Sequence, residues 1–161
     1  MKKLTCLFIF FGSLTLFSQV EKTTLNIFTF SEVEKLQQQN PKPMVVFIYT
    51  GWCKICHGMQ KTTFNNKKVM KLLNEQFYFV KLNGEEKKDI LFLDKKFVYK
   101  PTGTNTGIHQ LANELASKKG RIAYPTTTIL NSEFEIDLQI DGYLNAKKML
   151  AILEKYQLKI N

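Results

Sequence analysis

Several short apolar runs along the chain predict strands. Met44 to Tyr49 is continuous and partly β-branched, a pattern typical of a strand that is covered on both faces within a sheet. Phe77 to Leu82 and Thr126 to Leu130 are predicted as further strands, and Phe134 to Ile140 is predicted as the antiparallel neighbour of the last one. The runs therefore predict a sheet with Met44 to Tyr49 in its middle.

Segments with apolar residues at helical spacing separate these strands. Ser31 and Glu34 have the spacing of a capping box, which predicts a helix from Ser31 to about Gln39 after a short strand, Leu25 to Phe30. Three more helices are predicted: one after the cysteines through Leu73, one that contains Ile108 to Leu115 and ends at Gly120, and one over Asn145 to Lys155. This alternation with a final hairpin predicts an α/β fold, a mixed sheet with helices on both faces.

Residues 90–107 interrupt the alternation. Two apolar and aromatic runs flank Asp94, Lys95 and Lys96, which predicts a hairpin inserted between Ile90 and Lys100. Pro101 to Gly107 is rich in threonine and glycine and is predicted as a loop. This insertion either elaborates an edge of the domain or selects a partner.

The N-terminus has the layout of a secretory signal. Residues 1–3 form a basic start, Leu4 to Phe17 is apolar, and Ser18 is a small residue at the end of the run. The run is shorter than the roughly 20 apolar residues that a membrane-spanning helix needs. We therefore expect residues 1–18 to be a signal peptide and residues 19–161 to be one exported, periplasmic or secreted domain without stable membrane insertion.

Composition and charge narrow the function classes. The 161 residues are 44% hydrophobic and 12% aromatic, which is enough apolar material for one globular core. The formal net charge is +9, and nearly all of it comes from lysine, since Arg121 is the only arginine. Nucleic-acid binding would favour arginine interleaved with exposed aromatic residues, so we expect a solvated basic surface and no nucleic-acid partner.

The candidate chemistry lies in the stretch GWCKICHG, Gly51 to Gly58. Two cysteines two residues apart and followed by histidine match the attachment site of a c-type haem, and the same cysteines after Trp52 match a thiol-disulfide redox site. Loss of the signal removes Cys6 and leaves only Cys53 and Cys56, which are too close in sequence to staple distant parts of a fold. The pair is therefore a site rather than scaffolding.

The haem and metal interpretations lack ligands. A haem would need a second axial ligand, and Met59 lies on the same predicted helix as His57, so it cannot reach the opposite face of the iron. A copper or zinc site could use the two cysteines with His57 or His109, but nothing obvious completes a tetrahedron. We expect no cofactor. A haem or metal carrier and a non-catalytic interaction module stay the alternatives.

The position of the cysteines favours thiol-disulfide chemistry. Cys53 falls where a predicted buried strand ends and a helix begins, and the free amides and positive dipole end of that helix stabilise a thiolate. Cys53 is then the attacking thiolate, and Cys56, one turn on, is the resolving thiol that closes the Cys53–Cys56 disulfide. Lys54 and His57 are candidates for lowering the pKa of a thiol.

The motif at 52–56, Trp-Cys-Lys-Ile-Cys after an apolar strand, together with Tyr124-Pro125-Thr126, resembles the thioredoxin superfamily over nearly the whole chain after the signal. A Thr-Phe pair at 63–64 and Val69 make it similar to secreted or periplasmic disulfide reductases of the DsbD C-terminal type. The resemblance implies a thioredoxin-like three-layer sandwich with protein-disulfide reductase activity. It also implies that Pro125 is the family's cis-proline.

The resemblance further implies that Trp52 and the backbone of Tyr124 contact substrate. Its expected partners are disulfide-containing proteins and a thiol protein that donates electrons. Two positions depart from the family. Thioredoxins carry a buried acid where this chain has Phe47, and the DsbD-type domains often carry glutamate where it has Gln60. Proton transfer at Cys56 must therefore use another group or water.

Overall fold

A computed structural model describes residues 24–160, which form five helices and ten strands. The expected signal peptide and Cys6 lie outside the described residues. The helices are α1 (Phe30–Gln37), α2 (Lys54–Thr62), α3 (Lys67–Gln76), α4 (Gln110–Ala116) and α5 (Ala146–Ile160). The strands are β1 (Met44–Tyr49), β2 (Tyr78–Asn83), β3 (Ile90–Phe92), β4 (Lys95–Phe97), β5 (Tyr99–Pro101), β6 (Gly107–His109), β7 (Ser117–Lys118), β8 (Arg121–Ile122), β9 (Thr126–Leu130) and β10 (Ile136–Asp141). None of these helices is both long and apolar enough to cross a membrane.

Four of the strands form the central mixed sheet in the order β10-β9-β1-β2. Strand β1 runs parallel to β2 and antiparallel to β9, so the predicted central position of Met44 to Tyr49 is confirmed. Alternate residues of β1 face opposite layers. Val45 and Phe47 pack with α2, α3 and α5, whereas Val46 and Ile48 pack with α1 and α4. The predicted three-layer sandwich is therefore confirmed. Each large apolar side chain fully buried in these layers contributes about 1.5–3 kcal/mol.

The first element differs from the prediction. Leu25 to Phe30 is not a strand, because only Phe28 forms a bridge, with Val80 of β2. The helix starts earlier than expected. Thr29 accepts a hydrogen bond from the amide of Glu32, whose carboxylate accepts one from the amide of Thr29. The capping box thus lies at 29–32 and not at 31–34, because the bridge to β2 brings Phe28 to the sheet and leaves Thr29 to begin α1.

The helical pattern after the cysteines is two helices, α2 and α3. Asn66 caps α3, since its side-chain oxygen accepts hydrogen bonds from the amides of Lys68 and Val69. At the end of α2 the buried hydroxyl of Thr63 donates to the carbonyl of Leu144, at 2.6 Å. This hydrogen bond holds the C-terminal end of α2 against the segment that precedes α5.

The segment between β2 and β9 contains three hairpins. The predicted hairpin is present as β3–β4, with left-handed φ angles of 52° and 56° at Leu93 and Asp94. The region predicted as a loop, Pro101 to Gly107, connects the two strands of a second hairpin, β5–β6, which the sequence did not predict. Gly120 does not end α4, which stops at Ala116. It lies instead in the turn of β7–β8, where its φ of 75° suits a residue without a Cβ.

Candidate active site

The cysteine pair lies where the central strand β1 passes into α2. Cys53 is the N-cap of α2, and its sulfur is bonded to that of Cys56, with 5.2 Å between the two Cα atoms. The sulfur of Cys53 also accepts a hydrogen bond from the amide of Cys56 at 3.1 Å. The prediction that both sulfurs meet on the first turn of a helix is confirmed. The same amide and the helix dipole would stabilise a thiolate on Cys53 once the bond is reduced.

The two sulfur-bearing residues differ in accessibility. Cys53 retains 5% of its surface, whereas Cys56 is completely buried among residues that include Phe47 and Met59. An incoming thiol or disulfide therefore reaches Cys53 first.

The segment before β9 contains the cis peptide bond that the resemblance implies, between Tyr124 and Pro125. The carbonyl of Pro125 accepts a hydrogen bond from the amide of Gly142 at 2.7 Å, and the hydroxyl of Thr126 donates to the carbonyl of Ala123 at 2.8 Å. These bonds fix the backbone on both sides of the proline.

Trp52 and Tyr124 meet edge to face, with ring centroids 6.0 Å apart and an interplanar angle of 83°. Trp52 is 66% exposed and forms an aromatic surface next to Cys53. The phenol of Tyr124 is packed over Gly84, where an added Cβ would lie 2.3 Å from the Tyr124 hydroxyl oxygen. Burial, with a smaller contribution from the charge of Glu85, raises the pKa of Tyr124 to about 12.

Lys54 and His57 lie on the exposed side of the first turns of α2. Lys54 is the first residue of the helix, directly after the cysteine that caps it. The ring nitrogen Nε2 of His57 lies 2.9 Å from the carbonyl oxygen of Gly51 and donates to it. This hydrogen bond ties the helix to the turn that presents Trp52.

The sequence analysis missed Lys81. In the register of β1 and β2, Lys81 lies opposite Phe47. Phe47 occupies the position at which thioredoxins carry a buried acid. Its ammonium donates a hydrogen bond to the side-chain oxygen of Gln60 on α2 and lies 5.0 Å from the centroid of the Tyr49 ring. Burial lowers the pKa of Lys81. The alternation of β2, which puts Phe79 and residue 81 on one face, was the available clue.

Phe47 is fully buried, and its partner on the other side is Thr127 of β9. The hydroxyl of Thr127 is buried without a hydrogen-bond partner among the described residues. An aromatic ring thus occupies the place of the family's acid, with a cation and a hydroxyl as its neighbours across the sheet.

His109, the second histidine considered as a metal ligand, is the N-cap of α4. It is fully buried, and its Nδ1 accepts a hydrogen bond from the amide of Leu111 at the start of α4. Burial lowers the pKa of His109. Within residues 24–160, no group of three or more His, Cys, Asp or Glu side chains is arranged to hold a metal ion.

Comparison with known proteins agrees with this geometry. A family model described as a thioredoxin-like domain matches residues 30–157. Among solved structures, a DsbH oxidoreductase superposes with a TM-score of 0.62 at 15% identity, over 93% of this chain and 95% of that one. The reduced DsbD C-terminal domain of Neisseria meningitidis superposes with a TM-score of 0.52 at 18% identity, over 78% and 90%. At these identities the likeness concerns the fold.

A curated relative, an uncharacterized protein of Caenorhabditis elegans, is 33% identical over 66 residues, which is 41% of this chain and 9% of that protein. The chain thus spans only a small part of the curated relatives it matches. The match to the family model covers most of the chain, both helix layers and the cysteine pair, and the chain therefore belongs to the thioredoxin-like family.

Proposed function

We propose that the chain is an exported, periplasmic thiol-disulfide oxidoreductase that reduces protein disulfides through Cys53 and Cys56. The observation that carries the proposal is the bond between the sulfur of Cys53, which caps α2 and retains a small exposed fraction, and the completely buried sulfur of Cys56 one turn on. The signal-like layout of residues 1–18 supports export.

The reaction begins from the dithiol form. The thiolate of Cys53 attacks one sulfur of a substrate disulfide, forms a mixed disulfide and releases the first substrate thiolate, which takes up a proton. The thiolate of Cys56 then attacks the sulfur of Cys53 and releases the second substrate thiolate. Two electrons have moved from the cysteine pair to the substrate, and the Cys53–Cys56 disulfide has formed. A thiol protein that reverses these steps resupplies the electrons, so no dissociable cofactor is required.

Lys81 supports the second step by its charge. Cys56 must lose a proton in a buried place that lacks the family's acid, since Phe47 stands there. A cation lowers the pKa of a nearby thiol. Lys81 is held by Gln60, one helical turn after Cys56, and it makes no ion pair with an acid of the described chain. Lys81 is therefore proposed as a positioning residue for the thiolate of Cys56.

The aromatic pair beside the sulfurs is proposed to hold the substrate. Trp52 offers a large exposed face next to Cys53, and its edge-to-face contact with Tyr124 orients it. The backbone before Pro125 is proposed to pair with an extended substrate segment. Lys54, at the first position of α2, and His57 are proposed to favour the thiolate of Cys53.

Insulin reduction in the presence of dithiothreitol tests the activity. The protein should accelerate precipitation of the insulin B chain, and Cys53→Ser should abolish this acceleration. Reduced Cys56→Ser, freed of dithiothreitol and mixed with insulin, should instead accumulate a mixed disulfide with substrate that added dithiothreitol releases. Equal acceleration by the wild type and Cys53→Ser would refute the catalytic role.

The direction of the reaction is tested by the reduction potential of the cysteine pair. A value near that of thioredoxin, about −270 mV, supports a reductase, whereas a value near about −120 mV would make the protein an oxidase. Export is tested by cell fractionation and by the N-terminal sequence of the mature chain, which should begin near residue 19.

A further inference from the structure

Lysine is distributed unevenly between the two layers of helices. The layer that carries the disulfide consists of α2, α3 and α5. Its exposed lysines include six that we call the basic face: Lys54, Lys61, Lys67, Lys68, Lys147 and Lys148. Residues 36–74, which include α2 and most of α3, contain no aspartate or glutamate at all.

The lysines of the basic face also lack local partners. None of the six forms an ion pair with an acid in residues 24–160. Two lysines beside the opposite layer do so, Lys95 with Glu114 and Lys96 with Asp89. Lys118 does so nearer the site, with Asp141, whose strand partner Thr126 follows Pro125. The acids on the helices of this layer are Glu75, which pairs with Lys71, and Glu154 on α5, so the six lysines carry positive charge that no ion pair among the described residues offsets.

The basic face also opposes the helix dipoles. All three helices of this layer have no acid in the first turn and have lysine there instead, where the positive end of the dipole favours acids. On the opposite layer α1 has the favourable arrangement, with Glu32 in its first turn. A charge pattern that is unfavourable for three neighbouring helices indicates selection for something other than stability.

The first turn of α5 is held next to the redox helix. The hydroxyl groups of Thr62 and Tyr143 are 2.9 Å apart, and Thr63 donates to the carbonyl of Leu144. Lys147 and Lys148 thus adjoin the end of α2 that carries Lys61. The basic face is one surface that extends from Cys53 across α2 to the beginnings of α3 and α5.

We propose that the basic face docks an acidic protein surface, so that the redox partner of Cys53 carries aspartate and glutamate side chains around its own reactive cysteine. This inference rests on the proposed redox function. Exposed charges act mainly on association, and complementary charge raises the rate of encounter while like charge suppresses wrong partners.

The test uses three peptides that each carry one cysteine as a mixed disulfide with thionitrobenzoate, flanked by glutamates, by serines or by lysines. The Cys53 thiolate attacks the peptide sulfur and releases thionitrobenzoate, which is followed by its absorbance. Cys56 then displaces the peptide thiol and closes the protein disulfide. At about 0.01 M salt, where the Debye length is about 30 Å, the glutamate peptide should react at least about tenfold faster than the lysine peptide. At about 1 M salt the three rates should converge.

Two matched triple variants locate the effect. Lys61→Gln/Lys67→Gln/Lys68→Gln should reduce the preference for the glutamate peptide over the serine peptide by about threefold or more at low salt. Lys35→Gln/Lys95→Gln/Lys96→Gln removes the same formal charge from the opposite layer, where Lys35 is exposed on α1, and should leave the preference unchanged. Lys54 is left in place because its substitution would also change the thiol.

The outcomes separate the two proposals. Absence of thionitrobenzoate release from every peptide would refute the redox function, whereas release at equal rates from all three would refute only the acidic partner. An equal loss of preference in both triple variants would also overturn the proposal of an acidic partner. Co-sedimentation with anionic phospholipid vesicles that only the first variant abolishes, together with charge-independent peptide rates, would assign the basic face to a membrane surface instead.

Discussion

The ammonium of Lys81 is hydrogen-bonded to the side chain of Gln60, and Lys81 is the cross-strand partner of Phe47. A cation thus lies under the redox helix at the level where thioredoxins have an acid. In the proposed mechanism this cation favours the thiolate form of Cys56.

The first prediction concerns this lysine. Lys81→Met should raise the pKa of the Cys56 thiol by about one unit, because the apolar stem is kept and the charge is lost. Thiolate absorbance near the ultraviolet edge, followed against pH in reduced Cys53→Ser protein, measures this pKa. Lys81→Arg keeps the charge and serves as the control. An unchanged Cys56 pKa in Lys81→Met would show that the ammonium does not act on this sulfur.

The second prediction concerns the packing of Tyr124 over Gly84. Gly84→Ala should destabilise the fold by about 1–3 kcal/mol, because the new methyl group would overlap the phenol ring and its hydroxyl. Denaturant unfolding of the oxidised protein measures the loss. Gly58→Ala is a suitable control, since an added Cβ there meets nothing within 4 Å and alanine suits the interior of α2, so the fold should not be destabilised. Adding Tyr124→Val should restore part of the stability, and failure to do so would place the strain elsewhere.

The third prediction is a pH dependence that arises at His109. Burial holds the pKa of this imidazole below its ordinary value of 6.5, so the unfolded chain binds the proton more readily than the folded one. Stability contributed by the neutral ring is therefore fully present above pH 6.5 and is lost as the pH falls through 6.5 towards the lower folded pKa. His109→Asn keeps a helix-capping side chain and should flatten the free energy of unfolding between about pH 7 and 5.

Urea unfolding of the wild type and of His109→Asn at several pH values measures this slope. The same slope in His109→Asn would assign the pH dependence to other groups.

The fourth prediction distinguishes the two possible caps of α1. Thr29→Ala should cost about 1 kcal/mol, because it removes the hydroxyl that accepts from the amide of Glu32. Ser31→Ala, at the position that the sequence pattern favoured, should change the free energy of unfolding by no more than about 0.5 kcal/mol. Thermal unfolding of the two variants measures the difference, and the reverse order of stabilities would restore the cap to Ser31.

The centre of the sheet and the position of the cysteine pair follow from the residue pattern of the chain. A continuous apolar run needs cover on both faces, so Met44 to Tyr49 had to lie inside the sheet. The junction with a helix followed at once, and two intervening residues let the sulfurs of Cys53 and Cys56 meet. These features depend on residues that are adjacent in the chain, and local pattern is enough to specify them.

The residues around the cysteine pair are placed by the packing of elements that are distant in the chain. The contact of Lys81 with Gln60 depends on the register of β2 against β1. The buried position of His109 depends on packing against the segment after β2, where the amide of His109 donates to the carbonyl of Gly84. The choice of Thr29 over Ser31 as the cap followed from the bridge between Phe28 and β2. Each of these joins residues that are far apart in sequence or selects between two equivalent local patterns. The local sequence pattern does not distinguish Thr29 from Ser31 as the cap, and it does not specify contacts between residues that are far apart. The packing of distant elements determines both.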